Sequence, residues 1–247
     1  MQLNWPKPSE VPTLSSDGVH IWAVPLDRVR ASATNFDNAL SPDERARAAG
    51  LALESPRQVF VASRAALRSM LGRYLDLSPN RVPIVTDPGG KPRLAGGDLR
   101  FNLAHSGNLT LIAVTRGCEI GVDVEFLRSV DRSHEIAARN FHAAELAAVL
   151  AADDNENDNA ELPAVFLRCW TRKEAVLKAV GVGLGYPLDA FETLTQANDG
   201  DWVDLPARAS DPAVRCWLQD VRPCRDYAAA VATLEPRQPP LGFTYSL

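Results

Sequence analysis

The sequence predicts an α+β fold, with an element pattern compatible with two similar-sized halves. Three observations lead there. Strand-like and helix-like stretches occur on both sides of residue 115. Long strings with apolar residues at helical spacing stand beside runs with the period of two that marks strands. No short-period repeat interrupts either pattern. The expected division is residues 1–115 and 116–247.

Along the chain, "VHIWAVPL" reads as a strand rich in bulky apolar residues. "SPDERARAAGLAL" opens a helix, with Ser41 as cap, Pro42 at the first position and acids in the first turn. From Gln58 to Leu77, Phe60, Leu67, Leu71 and Leu75 recur at helical spacing with basic residues between them, which predicts a long packed helix. "PNRVPIVTDPGGKPRL" predicts a short strand, a Pro-Gly-Gly turn and a second extended piece. "LRFNLAHSGNLTLIAVT" predicts strand, broken at His105, Ser106 and Gly107 by a turn, and "CEIGVDVEFL" predicts a further strand. One helix is expected from about Ser133 to Leu150, then a mobile acidic loop in "AADDNENDNAELP". Counted as a calcium loop from Asp153, that loop has Asp158 where the glycine belongs and Ala164 where the bidentate acid belongs, so it is no EF-hand. The best helix runs from Pro163 to Val180, with glycines at 181, 183 and 185 past its end, and "AVRCWLQDV" and "YAAAVATL" close the chain as strands.

Composition removes several classes of function. With 46% hydrophobic and 23% charged residues over 247 positions, the chain reads as an ordinary globular protein. No stretch has the pattern of a signal peptide or the length of a membrane helix, so a cytoplasmic protein without membrane contact is expected. Cys118, Cys169, Cys216 and Cys224 lie far apart without a CxxC pair, as reduced core thiols do. A net charge of -5 argues against broad nucleic-acid binding. None of the four histidines forms HExxH or a nucleophile dyad, which disfavours a Ser/His/Asp hydrolase.

The unusual feature is "GVDVE". Residues two apart on a strand share a face, so Val122 and Val124 point into one layer while Asp123 and Glu125 point the other way. Two carboxylates that close call for a cation, and a hard divalent ion such as magnesium takes such ligands beside substrate phosphates. A half-exposed strand with a polar outer face explains the same residues. On the 163–180 helix, Glu174 and Lys178 lie close to the buried stripe. They are either a surface pair four apart or a third metal acid with a phosphate-binding lysine. "GGKP" is a tight turn carrying Lys91 and is no P-loop, since Pro follows the lysine.

Taken in order, "GGKPRL", "FNLAHSG", "GVDVE" and "WTRKEAVLKAVGVGL" closely resemble the 4′-phosphopantetheinyl transferases, over residues 89 to 185. The length matches the long, surfactin-synthetase-activating class, in which two α+β halves share one chain; the short class forms trimers. The resemblance implies transfer of the phosphopantetheine arm of coenzyme A to a serine of an apo acyl or peptidyl carrier protein, with release of adenosine 3′,5′-bisphosphate. It implies that Asp123, Glu125 and Glu174 bind magnesium and that Lys178 binds the pyrophosphate. Lys91, His105 and Arg64 match groups that contact coenzyme A. Either Glu174 or a metal-bound water would take the serine proton. Two positions depart from the family pattern: Glu44 replaces an expected cation, leaving Arg45 and Arg47 as substitutes, and Ala104 replaces a serine. The residues after "GVDVE" up to Phe141 are the expected carrier-docking surface, and a monomer is expected. The competing readings are a non-catalytic carrier-binding module, which would have lost the acids, and another magnesium-dependent nucleotide-processing enzyme.

Overall fold

A computed structural model describes residues 2–27, 36–87, 89–153, 161–194, 200–207 and 212–245. It contains two four-stranded sheets stacked face to face, each carrying one long helix on its outer side. The first sheet is built from β1 (Val19–Pro25), β4 (Leu99–Ser106), β5 (Leu109–Arg116) and β10 (Leu241–Thr244), in the order β10-β1-β5-β4. The second takes β6 (Ile120–Phe126), β7 (Asp201–Leu205), β8 (Val214–Asp220) and β9 (Tyr227–Thr233), all antiparallel in the order β6-β9-β8-β7. A hairpin of β2 (Ile84–Thr86) and β3 (Pro92–Leu94) forms a small separate sheet. The fold class is therefore α+β, as the sequence predicts.

Period-two alternation explains the layering. Ile21 and Ala23 of β1 and Leu111 and Ala113 of β5 meet Ile120, Val122 and Val124 of β6 in a core between the sheets. The intervening residues Trp22, Val24, Ile112 and Val114 face outward, where Ala66, Leu67 and Met70 of helix α2 (Glu54–Leu75) cover them. Ahead of it lies α1 (Pro42–Ala49), opened by a reciprocal box: Ser41 Oγ accepts the Glu44 amide and the Glu44 carboxylate accepts the Ser41 amide. The outer face of the second sheet is covered by α5 (Glu161–Val180), whose Ala175, Val176 and Ala179 pack with Leu218, Ala230 and Ala232.

Two connections tie the molecule across the sheets. The β10 strand comes from the end of the chain yet pairs in parallel with β1, placing His20 opposite Leu241. Near the other end, the Asn4 amide donates to Pro223 O beside the second sheet, while Thr244 of β10 donates to Trp5 O and Pro6 O.

Three expected boundaries are corrected. The strand through "FNLAHS" does not break at His105: both His105 and Ser106 pair in register with β5, and the turn is confined to Gly107 and Asn108, with Gly107 at φ +55°. The single helix expected over 133–150 is two, α3 (Ser133–Asn140) and α4 (Ala143–Asp153), because Phe141 is extended and buried and the His142 amide is taken by the Glu145 carboxylate at 2.9 Å. The last long helix begins at Glu161, two residues ahead of the proline. Most of the expected acidic loop, residues 154–160, lies outside the described residues. All four cysteines are free and buried. Among the described residues no helix is long and apolar enough to cross a membrane.

Candidate active site

Strand β6 and helix α5 build the site together. Ile120, Val122 and Val124 fill the core between the sheets, so Gly121, Asp123 and Glu125 must face α5. Gly121 makes this approach possible: a methyl there would collide with the carbonyl of Ala175 and the amide of Ala179. The helix therefore lies backbone against backbone on the strand, and Glu174 and Lys178 arrive beside the strand's acids.

The closest contact is an ion pair between Lys178 Nζ and Asp123 Oδ1 at 2.6 Å, and the same ammonium approaches Val122 O at 3.4 Å. Asp123 is only 6% exposed, and its second oxygen, Oδ2, is buried without a hydrogen-bond partner. Burial pushes its pKa up to about 7; Lys178 opposes this, and Glu174 and Glu125 add to it by repulsion. Glu174 is likewise raised by burial, against Lys178 and with Glu125. Glu125 itself is held by Ser106, whose hydroxyl donates to Oε2 at 2.6 Å and accepts the Phe126 amide at 3.1 Å.

Three carboxylates thus share one electrostatic neighbourhood with one lysine. Among the described residues no three carboxylate, histidine or cysteine side chains converge closely enough to hold an ion as they stand. The donor set still fits a hard divalent cation: all three acids offer oxygen, each raises the charge cost of another, and one buried oxygen has no partner. In the arrangement seen, the Lys178 ammonium is the cation on Asp123.

The other expected residues are placed differently from one another. His105, on β4, stands near the acids: low-dielectric surroundings and then Lys178 hold its imidazole below the ordinary pKa, with Glu125 opposing. Arg64 lies on α2, over the Phe60 ring at 5.7 Å, and Arg47 of α1 approaches the same ring at 5.2 Å. Burial lowers the Arg64 pKa, Glu44 opposes, and Arg47 and Arg68 lower it further. The neighbouring Ser63 bonds Thr110, the register partner of His105, so this turn of α2 docks beside the histidine strand. The Lys91 ammonium donates to Lys178 O at 2.7 Å, Glu119 Oε2 at 3.1 Å and Ile120 O at 3.3 Å.

Both departures from the family pattern have local reasons. Glu44 closes the cap of α1 and pairs with buried Arg68. Ala104 points into the core between the sheets, where a hydroxyl would need a buried partner.

Sequence reasoning missed Lys173 and Ser106. Lys173 falls on the stripe Phe166, Trp170, Lys173, Leu177, which was the available signal, and it is fully buried against Glu145 at 2.7 Å. Its ammonium also donates to Leu188 O and Phe191 O. Ser106 gave no signal, since its use depends on β4 running beside β6.

Comparison with known proteins bears on this arrangement directly. Residues 119–232, which include β6 and α5, match the family model of the 4′-phosphopantetheinyl transferase superfamily. The 4′-phosphopantetheinyl transferase HetI of Nostoc sp. is 39% identical over 212 residues, covering 84% of this chain and 87% of HetI. The chain belongs to the 4′-phosphopantetheinyl transferase superfamily. Other relatives in this superfamily are the transferase AcpT of Salmonella typhimurium, 36% identical over 60% of this chain and 73% of its own, and psf-1 of Bacillus pumilus, 29% identical over 69% and 68%. Asp123, Glu125, Glu174 and Lys178 all fall inside the part matched by the superfamily model, whereas Arg64, Lys91 and His105 precede it.

Proposed function

We propose that this transferase moves the phosphopantetheine arm of coenzyme A onto a serine of an apo acyl or peptidyl carrier protein, with magnesium, releasing adenosine 3′,5′-bisphosphate. The observation that carries the proposal is the Lys178–Asp123 pair standing beside Glu125 and Glu174 at a backbone-tight junction of strand and helix. The serine oxygen forms a bond to the β-phosphorus of coenzyme A, the bond from that phosphorus to the bridging oxygen breaks, and the nucleotide leaves with the electron pair. The nucleophile belongs to the partner, so this chain needs to position and neutralise.

Each residue has a part in that. Asp123, Glu125 and Glu174 would hold magnesium, which when bound supplies positive charge to the pyrophosphate oxygens as negative charge builds there. Lys178 supplies a second cation to the same oxygens from α5. The Glu174 carboxylate, which faces the acids of β6, accepts the serine proton. His105 donates a hydrogen bond to a coenzyme phosphate, and Arg64 with Arg47 forms a cationic pair around Phe60 for another. In this division residues 1–115 provide most coenzyme contacts and residues 116–247 the metal site. The segment after Glu125, beginning with Phe126 at 40% exposure and running to Phe141, receives the carrier protein. The enzyme works as a cytoplasmic monomer, an assignment that suits its four free cysteines.

The test is intact mass spectrometry of an apo carrier domain incubated with coenzyme A, magnesium and the enzyme. The expected result is a gain equal to one phosphopantetheine. No gain on any carrier tested, with nucleotide turned over in its absence, would instead identify another nucleotide-processing activity; binding of the carrier without either reaction would identify a non-catalytic module.

A further inference from the structure

We infer that Ser106 is a positioning residue for the metal site, its hydroxyl holding the Glu125 carboxylate ready to receive the divalent ion. The inference rests on the reading of Glu125 as a metal ligand given above. Strands β4 and β6 are edge strands of their two sheets and lie side by side, yet among the described residues no backbone ladder joins them. Side chains of β4 take the place of a ladder. Asn102 Oδ1 accepts the Val122 amide at 3.0 Å, and four residues further along both strands Ser106 Oγ accepts the Phe126 amide at 3.1 Å. These two bonds bracket Asp123 and Glu125.

The second bond also decides where the Ser106 proton goes. A hydroxyl has one proton to give. With an amide donating to its oxygen, Ser106 turns that proton to Glu125 Oε2 at 2.6 Å, the length of a charge-assisted bond. The bond engages Oε2, which leaves Oε1 as the oxygen for an ion. Repulsion makes such a holder necessary: Glu125 repels both Asp123 and Glu174, and its side chain has three rotatable bonds with which to turn the charge away. Asp123 is held by Lys178; Glu125 is held by Ser106. The serine is itself fixed by protein contacts. The turn that follows it docks on the second sheet, where the Asn108 amide donates to Tyr227 Oη at 3.2 Å and a methyl on Gly107 would stand 3.2 Å from the same hydroxyl. An outer hydrogen bond of this kind orients a metal ligand before the metal arrives.

The experiment measures binding of manganese, an oxygen-seeking stand-in for magnesium, to the full-length enzyme with coenzyme A and without carrier protein. The electron paramagnetic resonance signal of the free ion gives the affinity. Ser106→Ala is expected to weaken manganese binding about tenfold. Calorimetry of coenzyme A without any divalent ion should change by less than about twofold in the same variant, because a role confined to Glu125 acts only through the metal. Ser106→Thr, which keeps the hydroxyl, should bind manganese within about threefold of the wild type. Should a thermal melt show that Ser106→Ala does not fold, Ser106→Cys goes through the same measurements with the same expected loss, since a thiol of similar shape donates weakly. Unchanged manganese binding in the alanine variant, an equal loss of metal-free coenzyme binding, or a threonine variant as weak as the alanine overturns the inference. If the wild type binds manganese with coenzyme A and the variants do not differ from it, only the role of Ser106 falls; if the wild type binds none, the reading of the metal site falls with it.

Discussion

Replacing Asp123 with alanine is expected to reduce phosphopantetheine transfer by about three orders of magnitude or more while leaving the fold intact. Two consequences of the site combine in that number. The substitution removes the most buried of the three carboxylates that would hold magnesium, and it takes from Lys178 its 2.6 Å partner, so the lysine loses its placement as well. The fold should survive because the buried carboxylate costs energy to keep: its pKa stands at about 7, and the Lys178 side chain, 30% exposed, can turn to water when its partner leaves. Glu174→Ala should lose transfer to a similar degree. The measurements are carrier modification by intact mass and a thermal melt of each variant. Transfer at the wild-type rate by either variant would contradict the assignment of the three acids.

Lys173→Met should act in the opposite way, on stability first. Lys173 and Glu145 are both completely buried, and their pair is the centre of a network in which Thr193 donates twice to Glu145, through its amide and its hydroxyl. Removing the lysine leaves a desolvated carboxylate without its counter-charge, which typically costs about 3–5 kcal/mol. Replacing both partners with neutral residues of similar volume, Lys173→Met with Glu145→Gln, removes the stranded charge and should recover most of that loss. Urea denaturation of the two variants checks this; a loss below about 1 kcal/mol in the single variant would mean that Glu145 is relieved in some other way. The adjacent positions 173 and 174 thus divide their work. The lysine anchors α5 to the loop carrying Leu188 and Phe191, and the glutamate faces the acids of β6.

How much of this was legible depends on how local its cause is. The alternation of "IGVDVEF" and the helical spacing around Trp170 are short-range signals, and they correctly placed Asp123 and Glu125 on the face opposite Val122 and Val124. The break at Phe141 was hidden because "AARNFHAAELAA" is a good helix sequence throughout; what ends the first helix is burial of the Phe141 ring against Phe166, at 5.2 Å between centroids, together with Glu145 taking the His142 amide. His105 looked like a turn residue because His-Ser-Gly is turn-like, yet pairing with β5 keeps the strand running through Ser106. Lys91 and Ser106 depend on contacts made far along the chain, to Lys178 and to Glu125, and no periodicity reports those. The pairing of β10 with β1 is hidden for the same reason.

The claim on which all of this turns is that the acids of β6 and α5 and the lysine of α5 serve one divalent ion and one diphosphate. Calorimetric titration of coenzyme A into the wild type, with and without magnesium, and into Glu174→Gln under the same conditions tests it most directly. The account predicts that magnesium tightens coenzyme binding to the wild type by about tenfold or more and that this gain disappears in the variant. Equal affinity with and without magnesium in the wild type, or an undiminished gain in Glu174→Gln, would contradict it.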